Sequence, residues 1–211
     1  MHISICVNEI LDFLQIKPGQ KGLDATLGYG GHTKEMLKCL KGSGHVYGLD
    51  VDPIEIEKTT NRLREQGFGE DVLTVIKTNF ANIDEVARAH GPFDFILADL
   101  GVSSMQIDNP ERGFSYKIDG PLDLRLNPQE GTSAAERLLE VTEEEFAWMM
   151  IENSDEPYAH EIAATVMREI RSGKKVDTTT RLRELIEKAL VKVPEKERKE
   201  AVKKSCQRTF Q

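Results

Sequence analysis

The feature that most constrains this chain is an alternation of short apolar runs and helical periods through its first half. Four runs, at 22–26, 45–49, 72–76 and 93–98, have the length and apolar content of strands. The segment 7–14 carries apolar residues at helical spacing, and 33–40, 53–65 and 83–89 read as helices between the runs. Pro53 stands at the first-turn position that proline favours, and Thr33 is expected to cap the helix it opens. Strands alternating with helices predict an α/β fold with a parallel, doubly wound sheet. The run 93–98 is almost continuously apolar, as an interior strand would be. Ligands of such sheets sit beyond the C-terminal ends of the strands. Gly28, Asp50, Phe80 and Asp99 each follow one of the four runs closely.

The pattern changes near residue 105. Pro110, Gly113, Gly120, Pro121, Pro128 and Gly131 make 105–131 rich in turns, and helices are expected at 133–139, 142–151, 158–171 and 180–191. Thr142 with Glu145 reads as a capping box. The expected organisation is an incomplete Rossmann-like domain at 1–107 and a helical inserted subdomain at 108–205. Residues 206–211 are expected to start a helix returning to the core.

The net charge of −8 argues against nucleic acid, but its distribution argues for it. Residues 168–208 hold 14 Lys and Arg against 7 Asp and Glu, a basic stretch on an acidic body. The alternative is a solvated helical face, because Lys and Glu interleave from 188 to 204. Cys6, Cys39 and Cys206 are scattered, and the five histidines lack ligand spacing. Neither a disulfide framework nor a metal site is expected, and a reducing cytoplasm is. No apolar run reaches membrane-spanning length, and Met1–Ile5 lacks the basic start of a secretory signal.

The loop from Asp24 to His32, DATLGYGGH, joins the first strand to the first helix of the alternation. Its glycines permit close backbone approach, and a helix N-terminus offers N–H groups to a phosphate or carboxylate. A tight packing turn is the alternative. A dinucleotide fingerprint would also place glycine where Thr33 stands, which counts against NAD. Asp50 ends the second strand, 22 residues past Gly28, where an acid accepts ribose hydroxyls. Asp52 is the alternative ribose partner, and either acid suits a cap at Pro53. A glycine loop with an acid at this distance points to an adenosine-containing ligand without choosing which. Phe80 suits stacking on adenine or a place in the core. Asp99 suits a reacting group or a strand-end cap.

The runs DATLGYGGH, GLDVDP, ADLGVSSMQID, NPERGFS, DGPLDLR and RTFQ resemble, in order and along the whole chain, the RsmH/MraW family of small-subunit ribosomal RNA cytosine-N4 methyltransferases. The resemblance implies a class I methyltransferase-like fold with a helical insertion after the fourth strand. It implies S-adenosylmethionine as cofactor, contacted at Gly30, Gly31, His32, Asp50, Phe80, Asp99 and Gln106, and 16S ribosomal RNA or the small subunit as partner. The chain departs from the family pattern at Tyr29, at Met105, at 153–158 and at 204–207. The family pattern continues past Gln211 with a helix and the remaining strands. The resemblance therefore predicts a fourth strand exposed at the sheet edge, self-association through it, and little methyl transfer by these residues alone. Two other readings are a cofactor- or RNA-binding homologue without catalysis and a NAD-dependent oxidoreductase. No catalytic residue is assigned: Asp99 is a conceivable acceptor for the amine's N–H, but the resemblance gives it to the cofactor.

Overall fold

The computed structural model describes residues 4–211, apart from the side chain of Ser104. Of the segment read as lacking a secretory signal, residues 1–3 lie outside the described residues. The chain divides into two compact units, Met1–Ser103 and Ser104–Gln211.

In the first unit the order is α1 (Val7–Leu14), β1 (Lys21–Asp24), α2 (Gly31–Leu40), β2 (His45–Asp50), α3 (Pro53–Glu65), β3 (Leu73–Lys77), α4 (Ile83–His90) and β4 (Phe95–Leu97). The four strands form one parallel sheet in the order β3-β2-β1-β4. Side chains alternate across a strand, so a sheet covered on both sides needs apolar residues at successive positions. β2 supplies them. Val46 joins a cluster with Met36, Leu37, Leu40, Leu63 and Phe95. Leu49 joins another with Leu23 and Val86, against which Tyr47 packs. The doubly wound α/β arrangement expected from the alternation is therefore present, built on four strands.

The apolar run 93–98 yields only a three-residue strand at the edge. β4 pairs with β1, its Phe95 is buried, and Ile96 is 51% exposed. Thr33 does not cap α2. The helix starts two residues earlier behind Gly30, and Thr33 is fully buried, its hydroxyl donating to Asp24 Oδ2 at 2.6 Å. A hydroxyl so close to a strand-end carboxylate is worth more to the buried acid than to the helix end.

The second unit follows with α5 (Ser104–Asp108), the turn-rich stretch, α6 (Ala134–Glu140), α7 (Glu143–Ser154), α8 (Ala159–Arg171), α9 (Thr179–Ala189) and α10 (Glu195–Thr209). Its core is one cluster in which Ile162, Val166, Leu185, Ile186 and Leu190 are almost wholly buried. The capping box at Thr142 and Glu145 is formed in both directions, and Ser133 with Glu136 forms a second. The segment 206–211 is the end of a helix, not the start of one. Cys206 and Phe210 close α10 into the core of this unit. α10 is strongly polar, with Ala201, Val202 and Cys206 the apolar residues of its length, so its inward stripe is faint in sequence.

The turn-rich stretch is a self-packed loop. Arg112 is buried and its guanidinium Nη2 donates to the carbonyls of Arg125 (3.1 Å) and Leu126 (2.7 Å). The Leu124 N–H donates to the Arg112 carbonyl. Asp123 grips Arg125 through both carboxylate oxygens. NPERGFS and DGPLDLR are thus the two halves of one structure.

Candidate functional site

The site is assembled where β1, β2, β3 and β4 end. Asp24, the last residue of β1, is 1% exposed and accepts from the Thr33 hydroxyl and the Thr26 N–H. Burial pushes its carboxyl above the ordinary range, opposed by those two donors. Thr26 in turn accepts the Asp99 N–H on its hydroxyl at 2.7 Å, which ties the end of β4 to the glycine loop.

The loop is held on three sides. Asp50 Oδ2 accepts from the Gly28 N–H at 2.8 Å, and its Oδ1 from the Asp52 N–H at 2.9 Å. Thr59 of α3 donates its hydroxyl to the Gly28 carbonyl at 2.7 Å. Arg62 donates to the Tyr29 carbonyl at 2.6 Å and lies 3.6 Å over the Tyr29 ring. Gly30 caps α2 at φ +74°, and a Cβ there would press on the Thr59 methyl at 2.7 Å. No side chain caps the first turn of α2 and no acid lies in it, so its N–H groups suit an anion.

Burial also raises the Asp50 carboxyl, ahead of the backbone N–H groups of Asp52, Gly28 and Val51 that lower it. For both acids folding favours the protonated form. Stability therefore falls as pH rises from the ordinary carboxylate range through their folded values.

Asp52 is fully buried and accepts from the Ile54 N–H, so it is the α3 cap, and the cap reading for Asp50 is excluded. Phe80 is 48% exposed in the turn after β3, so it is not a core aromatic. The Asp99 side chain is half exposed and its Oδ2 stands 3.7 Å from His32 Nδ1. His32 is buried and its Nε2 donates to the Ile5 carbonyl. Gly30, Gly31, His32, Asp50, Phe80 and Asp99 all fall in the first unit, the first three at the start of α2 and the others at or just after the ends of β2, β3 and β4. Gln106 belongs to the second unit, where it is buried on α5.

Sequence reasoning missed Asp24, Thr26, Thr59 and Arg62 as the frame of the loop. Asp24 was visible as an acid ending a strand. Thr59 and Arg62, three apart on α3, form one face of that helix, but nothing in their spacing names the loop they reach.

A ribosomal RNA small subunit methyltransferase H 1 of Lachnoclostridium phytofermentans is 68% identical over all 211 residues of this chain, which cover 58% of that protein. A second protein of that name, from Agathobacter rectalis, is 64% identical over the same span, 60% of its own length. This chain therefore spans about three fifths of the relatives it matches. A solved rRNA methylase from Streptococcus thermophilus is 26% identical, with a TM-score of 0.34 over 42% of this chain and 51% of its own. The model of the MraW methylase family matches residues 1–211, the glycine loop, the four strand ends and the interlocked Arg112 loop included, and the chain belongs to that family.

Proposed function

We propose that this chain binds S-adenosylmethionine at the strand ends of its first unit and serves methyl transfer to the N4 amine of a cytosine in 16S ribosomal RNA. The observation that carries the reading is the Asp50 carboxylate. It ends β2 and already holds Gly28 of the glycine loop, so an acid for a ribose and a backbone for an anion are one structure. Each carboxylate oxygen has a second lone pair for a hydroxyl. The residues present fit the cofactor. The uncapped start of α2 at Gly30 and Gly31 suits its amino-acid carboxylate, and the exposed Phe80 ring suits its adenine. His32 and Asp99 complete the proposed set in this unit. The bound cofactor supplies an activated methyl group on sulfur.

The protein's task is to orient the amine and to hold its N–H groups, because the nitrogen lone pair is delocalised into the ring. A base must leave its stack to present that amine. The names of the relatives support ribosomal RNA of the small subunit as substrate, and the cytoplasm is the proposed location because that substrate is made there. No helix of the described residues is long and apolar enough to cross a membrane. Incubating the protein with methyl-labelled S-adenosylmethionine and small-subunit rRNA, followed by nucleoside mass spectrometry, should find what label is transferred on cytidine N4, at the low level expected of these residues alone. Label on the ring carbon or ribose would contradict the reading. Cofactor binding without transfer would favour the non-catalytic homologue.

Self-association through β4 belongs to the same proposal. β4 pairs on one side with β1, and Ile96 is half exposed beside Phe13 of α1, which is 86% exposed. Such an edge is a template for another strand, and an inserted charge blocks it. Sedimentation should show concentration-dependent association that Ile96→Lys abolishes. A parent chain monomeric at every concentration would contradict it.

A further inference from the structure

The second unit carries a groove of about 400 Å3 that no residue of the cofactor site lines. Its walls include Tyr158, at the N-cap of α8, and Lys196, Glu197, Glu200, Lys204 and Arg208 of α10. Lys196, Glu200, Lys204 and Arg208 recur every four residues, so they form one row along the helix. The volume lies within the roughly 300–1,000 Å3 of small-ligand sites.

The basic stretch 168–208 is less free than its composition suggests. Arg171 pairs with Glu143, Arg183 with Glu187, and Lys174, Arg181 and Lys188 all meet Glu169. The groove row is different. Among the described residues Lys196 has no ion pair, and Lys204 approaches Glu200 only at 3.8 Å. Beneath the row lies Glu156, 2% exposed, whose Oε1 accepts from the Ser205 hydroxyl (2.8 Å) and the Tyr158 N–H (3.0 Å). Its Oε2 accepts no hydrogen bond, and the Arg208 guanidinium stands 3.9 Å away. Charge attraction thus keeps Arg208 on the groove wall without consuming its N–H donors there. A guanidinium held so is suited to a phosphate, which it grips with paired bonds.

We propose that this groove binds a single unstacked nucleotide of the RNA, a claim that rests on the rRNA reading above and gives that RNA a place on the chain. Arg208, Lys196 and Lys204 take phosphate. The partly exposed Tyr158 ring takes the face of the base, as aromatic residues do in single-strand sites. Glu197 and Glu200, which a pure phosphate site would lack, accept N–H groups from a base edge. Lys199 and Lys203, exposed on α10 and without an ion pair among the described residues, continue the positive surface along the strand's path.

Fluorescence anisotropy with a short, unstructured, labelled single-stranded RNA tests it. Lys196→Glu with Lys204→Glu should weaken binding about tenfold or more and lower the salt slope by about two. Lys175→Glu with Lys192→Glu changes the charge equally away from the groove and should do much less. Tyr158→Ala should cost about 5- to 150-fold and persist at high salt, while Tyr158→Phe binds as the parent does. Should Tyr158→Ala fail to fold, the exposed-lysine variants decide alone. A parent that binds RNA and methylates rRNA, with groove variants that do both unchanged, refutes the groove alone. A parent that neither binds RNA nor transfers a methyl group refutes the underlying reading too. Equal affinity for polyglutamate refutes a nucleotide site in favour of a general anionic surface.

Discussion

Replacing Asp50 with alanine is expected to weaken S-adenosylmethionine binding by about 10- to 150-fold. A hydrogen bond to a charged group contributes roughly 1.5–3 kcal/mol, and each 1.4 kcal/mol is about tenfold. Two losses contribute to that range. The ribose loses its acceptor, and the Gly28 and Asp52 N–H groups lose theirs, so the loop is released where the cofactor must meet it. Asp50→Asn separates the two, since a carboxamide offers one acceptor oxygen in place of two. Its affinity should fall between parent and alanine variant. Isothermal calorimetry reads both, and an alanine variant that binds as tightly as the parent would remove Asp50 from the ribose.

A large loss of stability from a single methyl group is expected at Gly113. This residue sits at φ +73°, and a Cβ there would collide with the Pro121 carbonyl oxygen and lie 2.7 Å from the Asp123 nitrogen. Both neighbours are backbone and cannot swing aside as a side chain would. The left-handed conformation costs a non-glycine residue about 1–3 kcal/mol, and overpacking costs a similar amount again. Gly113→Ala should therefore destabilise the second unit by roughly 2–6 kcal/mol in sum. It should also free Arg112, whose guanidinium carries the carbonyls of Arg125 and Leu126. A denaturation midpoint unchanged from the parent would show that the loop adjusts without strain.

The parts legible in sequence are those where local pattern and tertiary role agree. The strands β1 to β3, the helix opened by Pro53 and the capping box at Thr142 are set by residues that lie near one another in the chain. Strand-end chemistry was legible for the same reason: Asp50 is marked by its distance from Gly28, and that distance is fixed by one strand–helix–strand unit. Thr33 shows where the approach fails. Its type suits a helix cap, but a buried carboxylate, nine residues back and adjacent only in the fold, claims the hydroxyl. α10 shows the same limit from the other side. Its inward stripe is short because Cys206 and Phe210 complete a core supplied by α7, α8 and α9, and a helix with so few apolar residues reads as solvated. The basic stretch was legible as composition alone. Glu143 comes from outside the stretch to meet Arg171, and Glu169 within it gathers Lys174, Arg181 and Lys188, a convergence that no window of sequence shows.

The central claim is that the ends of these four strands hold S-adenosylmethionine. Calorimetric titration of the protein with S-adenosylmethionine, beside NAD, tests it most directly, because both ligands carry the adenosine that a glycine loop and Asp50 can accept. The account predicts saturable one-to-one binding of S-adenosylmethionine and none of NAD at the same concentrations. Tight binding of NAD with no heat from S-adenosylmethionine would contradict it.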